Sequence, residues 1–216
     1  MYDFYSDTKT KPSKEMLEYA LGRTFGDEQK DEDPTTLELC ERVASLLGKE
    51  SAVFLPSGTM CNEIAISVQT SPGDEILCDR TCHIINFEGG APAAMSGVMI
   101  HPLDGKYGQF TEEDVSQALR PKSRHMPISR MLCAEQTVNL GGGGVWPVEK
   151  LDSVAQVAKK SGLSTHLDGA RLLNACAKTG ISAARYSHEY DSCWIDFTKG
   201  LGAPVGAVLA GSIDFI

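Results

Sequence analysis

Three short stretches carry residue types suited to covalent or anion-binding chemistry. In "DFTKGLGAPVGAVLAG", Lys199 ends an apolar run and is followed at once by glycines and a proline. An amine held among apolar neighbours loses hydration, which lowers its pKa and frees its lone pair, the condition for a Schiff-base lysine. A solvated loop lysine is the plain alternative. In "AVFLPSGTM", Ser57, Gly58 and Thr59 bring backbone N–H groups, two hydroxyls and the positive end of a helix to one point, which suits a phosphate. An ordinary N-cap turn would read the same way. In "STHLDGAR", Asp168 stands at the end of a further apolar run, with Gly169 and Arg171 behind it. A surface Asp–Arg pair of little energetic weight competes with a binding role.

These residues can act together only if the fold gathers the ends of their runs. Seven short apolar segments recur, at 52–56, 75–79, 98–103, 130–137, 164–169, 192–198 and 205–211. Most are continuous in hydrophobicity, as strands covered on both faces are. Helical segments lie between them. "EDPTTLELCERVASLLGK" offers Asp33 as N-cap, Pro34 at the first helical position and Gly48 past the end, with Leu37, Val43, Ala44 and Leu47 on one stripe. "TEEDVSQALRP" offers Thr111 with Asp114 as a capping box and Pro121 as a stop, and Gly162 terminates "PVEKLDSVAQVAKKSG". The alternation predicts an α/β fold: a mostly parallel seven-stranded sheet with helices on both faces. Ligands then bind beyond the carboxyl ends of the strands.

Composition narrows the classes. The chain has 216 residues, 42% of them hydrophobic, and a net charge of -9. That length supports one substantial core, and that charge argues against a nucleic-acid or anionic-membrane surface. Residues 1–16 hold no apolar core of a secretory signal, and the longest apolar runs are short and glycine-broken, so a soluble, cytoplasmic protein is expected. Seven cysteines, at 40, 61, 78, 82, 133, 176 and 193, form no CxxC pair and no zinc-ribbon spacing. They are expected to be reduced, buried thiols, and no metal site is expected.

Taken together, a phosphate anchor, a carboxylate and a strand-end lysine match the three handles of pyridoxal 5'-phosphate: its phosphate, its ring nitrogen and its aldehyde. In its ordered blocks, the chain resembles the low-specificity L-threonine aldolases among the fold-type I pyridoxal-phosphate enzymes. The blocks are "SDTKTKP", "DEDPTTLELCERVASLLGKESAVFLPSGTMCN", "CHIINFEGGAPAAMSG", "LCAEQTVNLGGGGVWP", "HLDGARLLNA" and "TKGLGAPVGAVLAGS". The resemblance implies an N-terminal arm over 1–30 and a cofactor-binding large domain over 31–216. It implies that His83 stacks on the cofactor ring, that His125 approaches the substrate's β-hydroxyl, that Ser6 and Arg171 hold the substrate carboxylate, and that Thr198 adds a hydroxyl to the phosphate. It also implies a homodimer or homotetramer with sites at subunit interfaces.

Two departures stand out. Lys30 occupies the place of an aromatic residue usual in the family. The family's small C-terminal domain, with a second carboxylate-binding arginine, has no counterpart within the 216 residues. The activity implied is retro-aldol cleavage of threonine or allo-threonine to glycine and an aldehyde, poorly supported by this chain alone. The rivals are β-elimination or transamination on the same scaffold, and a cofactor-retaining chain without activity of its own.

Overall fold

The computed structural model describes residues 3–216, so Met1 and Tyr2 of the expected arm lie outside the described residues. The arm runs through a 3-10 turn at Asp7–Lys9, helix α1 (Lys14–Leu21) and a second 3-10 turn at Glu28–Lys30. Helix α2 (Pro34–Leu47) starts where the sequence placed it. The Asp33 carboxylate accepts from the Thr36 N–H at 2.7 Å and from the Gly26 N–H at 2.9 Å, so one side chain both caps the helix and ties down the arm. Gly48 ends it at φ +62, a left-handed backbone that glycine adopts without strain. Val43, Ala44 and Leu47 are buried, whereas Leu37 is exposed. At 100° per residue Leu37 stands about 70° from the middle of that stripe, at its solvent margin.

The chain then alternates. Strand β1 (Ser51–Leu55), helix α3 (Gly58–Gln69), β2 (Asp74–Asp79), α4 (His83–Asn86), α5 (Ala91–Ser96), β3 (Met99–Leu103) and α6 (Glu112–Ala118) lead to β4 (Ile128–Glu135). The second half holds α7 (Val148–Lys160), β5 (Ser164–Asp168), α8 (Leu172–Thr179), α9 (Ala183–Ser187), β6 (Ser192–Asp196) and β7 (Ala207–Gly211). Thr111 and Asp114 form the expected reciprocal capping box on α6, which ends at Ala118, ahead of Pro121.

All seven strands join one sheet in the order β1-β7-β6-β5-β4-β2-β3. The pairs from β6 through β3 are parallel; β7 runs antiparallel to both β6 and β1. One apolar core lies on the face under α2, α6, α7, α8 and α9, around Leu132, Trp146, Leu167 and Ile195. The other lies under α3, α4 and α5, around Ile66, Ile76, Met131 and Trp194. Two covered faces explain why the strands read as unbroken apolar runs.

Register decides which side chains meet. Glu135 on β4 pairs with Asp168 on β5, and Asp168 pairs with Trp194 on β6. Residues opposite one another share a face, so these three form a row across the carboxyl ends of the central strands.

Candidate functional site

Trp194 is the floor of the site. It is buried beside Asp168, and its ring lies against Gly58 at the start of α3. A Cβ at Gly58 would come within 2.1 Å of the Trp194 ring, so only glycine lets the helix N-terminus approach so closely. Ser57 caps that helix by accepting from the Met60 N–H at 3.2 Å, which leaves the early N–H groups of α3 to face outward. On the same ring, the Lys199 Nζ stands 5.5 Å from the centroid. The phosphate-type turn and the lysine therefore converge on one aromatic surface.

Lys199 is 9% exposed. Its setting is not purely apolar, as the sequence led one to expect: Asp196 holds the ammonium at 2.8 Å. A buried cation needs such a partner. Asp196 also accepts from the Thr198 N–H and hydroxyl, both at 2.7 Å, so Thr198 is turned toward the loop's own carboxylate. The arm closes over this turn, with the Thr10 hydroxyl donating to the carbonyl of Lys199 at 2.7 Å.

Asn62, fully buried on α3, links the floor to the acids. Its Oδ1 faces the Trp194 Nε1 at 2.7 Å, and an indole N–H can only donate, so the orientation of the amide is fixed. The same oxygen takes the proton of His166 Nε2 at 3.0 Å, while His166 Nδ1 accepts from the Ser192 hydroxyl at 2.7 Å. Burial pushes His166 down to about 4, so it is neutral. The two Asn62 N–H groups then point to Asp168 Oδ2 at 3.0 Å and to Glu88 Oε1 at 2.6 Å. Asp168 Oδ1 takes the Ala170 N–H at 3.1 Å.

His83 opens α4, with its backbone N–H on Glu135 Oε2 at 2.8 Å and its Nδ1 on Glu88 Oε1 at 2.7 Å. The Glu88 carboxylate raises the His83 pKa above its ordinary value, against the opposing effect of burial. Burial, with Asp168 second, pushes Glu135 up to about 7. Arg171 meets Asp7 of the arm in a forked pair, Nε at 2.6 Å and Nη2 at 2.7 Å, which leaves its Nη1/Nη2 end open.

Two expected residues make no hydrogen bond to this cluster. The Ser6 hydroxyl oxygen accepts within the arm, from Thr8 N at 3.2 Å and Thr8 Oγ1 at 2.9 Å. His125 is exposed in the loop that enters β4. That strand is eight residues long, which puts His125 about 25 Å from the carboxyl-end row at 3.3 Å per residue. Within one chain it does not reach the cluster. A cavity of about 370 Å³ borders the site, lined by Arg171, Leu173, Ile195 and Asp196 among others.

A family model described as beta-eliminating lyase matches residues 3–216. The chain belongs to that family. Its members depend on pyridoxal phosphate. The chain is 40% identical to an uncharacterized protein of Caenorhabditis elegans, over 99% of this chain and 52% of that protein. It is 39% identical to a probable low-specificity L-threonine aldolase 2 of Arabidopsis thaliana, over 99% of this chain and 61% of that protein. It thus spans between half and two thirds of the length of these relatives. A threonine aldolase structure from Leishmania major superposes with a TM-score of 0.88 at 24% identity, covering all of this chain and 64% of that one, which shows the fold.

Several residues of the cluster escaped the sequence reading: Asp7, Asn62, Glu88, Glu135, Trp194 and Asp196. Asn62 falls one turn into α3 after "SGTM", on the face that also buries Cys61, Ala65 and Ile66. A polar residue on an apolar face was the one legible signal, and it reads equally as a satisfied core amide. Glu135 and Asp196 end apolar strands as Asp168 does, a signal that strand-end acids share.

Proposed function

We propose that this chain holds pyridoxal 5'-phosphate and takes part in retro-aldol cleavage of a β-hydroxy-α-amino acid, such as threonine or allo-threonine, to glycine and an aldehyde. The observation that carries the reading is the Trp194 platform, on which Gly58, Lys199 and, through Asn62, Asp168 converge. The donor set fits that cofactor. Ser57, Gly58 and Thr59 would take the phosphate at the α3 N-terminus, with Thr198 at its edge; Asp168 would take the ring nitrogen; Lys199 would take the aldehyde. When bound, the cofactor supplies an electron sink for the bond that breaks.

The remaining chemistry belongs to side chains. Asp168, held by two donors, would hold the ring nitrogen of the bound cofactor and help keep it protonated. Asp196 keeps the Lys199 amine in place. Arg171, gripped on its side edge by Asp7, offers its end edge to the substrate carboxylate and fixes which bond at Cα stands in line to break. His83, with Nδ1 on Glu88, offers Nε2 to take the hydroxyl proton. His125 and Ser6 act, in this reading, from a neighbouring copy or after the arm rearranges. Residues 31–216 form the cofactor-holding unit and 1–30 its covering arm, in a homodimer or homotetramer in the cytoplasm.

Incubating the protein with cofactor and threonine, then recording spectrum and products together, tests the proposal. Glycine plus an aldehyde is expected, and pyruvate plus ammonia would move the assignment to β-elimination. Lys199→Ala removes the visible absorbance of the lysine-bound cofactor; absorbance that persists in that variant overturns the assignment of Lys199.

A further inference from the structure

The function proposed leaves one buried acid unused. Glu63 follows Asn62 on α3, is 6% exposed, and has no hydrogen-bond donor within reach of either carboxyl oxygen. Its neighbour is Glu88, whose Oε2 is buried without a donor as well. Three carboxyl oxygens of two neighbouring acids are thus buried without a donor, and among the described residues no lysine or arginine pairs with either acid. Two ionised carboxylates repel one another in such a place, because burial strips both of solvation. A single proton between them gives two of the three donorless oxygens a hydrogen bond.

We propose that Glu63 and Glu88 share one proton, and that Glu63 is a positioning residue which holds His83 through Glu88. The proton resides on Glu63 because the charge is better solvated on Glu88. Glu88 Oε1 already receives the Asn62 N–H at 2.6 Å and faces His83 Nδ1 at 2.7 Å, and its Oε2 then accepts the Glu63 O–H. Glu63 as the carboxylate would have one donor at most. With Glu88 Oε1 accepting there, His83 keeps its proton on Nδ1, and Nε2 is the nitrogen left free to accept. The other charged groups around this unit are Glu135 on β4, Asp168 on β5 and Lys199 after β6; all three are near enough to bias His83 or one another. Burial first, then Glu88, pushes Glu63 up to about 8, so the shared proton is present at neutral pH and lost above it.

What Nε2 does rests on the proposed function, but the shared proton does not, and it is read on the full chain without cofactor. Infrared spectra at pH 7 are expected to show a buried protonated carboxyl in the difference between wild type and Glu63→Gln. That subtraction separates it from Glu135, and the band is lost as pH rises through about 8. Nitrogen-15 spectra of His83 are expected to show the Nδ1-protonated form. Glu63→Gln, whose amide N–H donates to Glu88 permanently, keeps that form at pH 9, whereas Glu63→Leu shifts the tautomer balance and the pKa of His83. No protonated-carboxyl difference at pH 7 overturns the shared proton. An identical His83 titration in wild type and Glu63→Leu overturns the positioning role. If both signatures are found and no glycine forms from threonine, this inference stands and the proposed function falls.

Discussion

Arg171 shows how one side chain serves two partners. A guanidinium has a side edge, Nε with Nη2, and an end edge, Nη1 with Nη2; Asp7 takes the first. The contact also holds the Asp7 carboxyl below its ordinary pKa, chiefly through the hydrogen bonds to Arg171. Without Asp7 the arginine can swing, and Asp7→Ala is expected to weaken glycine binding to the cofactor-loaded protein about tenfold, the worth of one charge-assisted contact. A visible-absorbance titration with glycine measures this, and unchanged cofactor absorbance shows that the loss is confined to the carboxylate. Tighter binding in Asp7→Ala would mean that Asp7 occupies the substrate's own place.

At the scale of elements, α3 carries most of the site. Its N-terminus faces the place assigned to the phosphate, its first turn touches Trp194, and its second supplies Asn62 and Glu63. The approach depends on Gly58, because any Cβ there meets the indole. Gly58→Ala is expected to destabilise the fold by about 1–3 kcal/mol through overpacking. It also moves the N–H groups away, so cofactor retention falls with it. Thermal melts and cofactor retention after gel filtration give the two readouts. Retention equal to wild type would separate the helix from the phosphate. The arm is the opposite kind of element: α1 buries no residue, and Phe4, Tyr5, Leu17, Tyr19, Leu21 and Phe25 are exposed. It is fixed to the rest by polar contacts at Asp7, Thr10 and Asp33.

For the whole molecule, buried ionisable groups set the pH range of stability. His166 has a folded pKa near 4, below the ordinary 6.5, so its contribution is present above 6.5 and lost as pH falls toward 4. Glu63 has a folded pKa near 8, above the ordinary 4.5, so its contribution is full below 4.5 and lost as pH rises through 8. Melting temperatures are therefore expected to fall between pH 7 and 9, and Glu63→Gln is expected to flatten that fall. A wild-type profile that rises over the same interval would contradict the buried neutral acid. No helix among the described residues is long and apolar enough to cross a membrane.

The sequence by itself determined the seven strands, the helix caps at Asp33, Thr111 and Gly48, and the turn at Ser57–Thr59, Asp168 and Lys199 as candidates. These are local facts: strand runs, caps and strand-end charges are written in neighbouring residues, and the parallel α/β rule says where strand ends meet. Tertiary structure alone decided that Asp168 and Trp194 stand in one row, that Asn62 joins them to Glu88 and that Asp7 grips Arg171. It also separated His125 from the cluster. Partners of this kind lie tens to more than a hundred residues apart. A buried charge or amide is placed by whichever distant group satisfies it, and nothing in its own segment names that group.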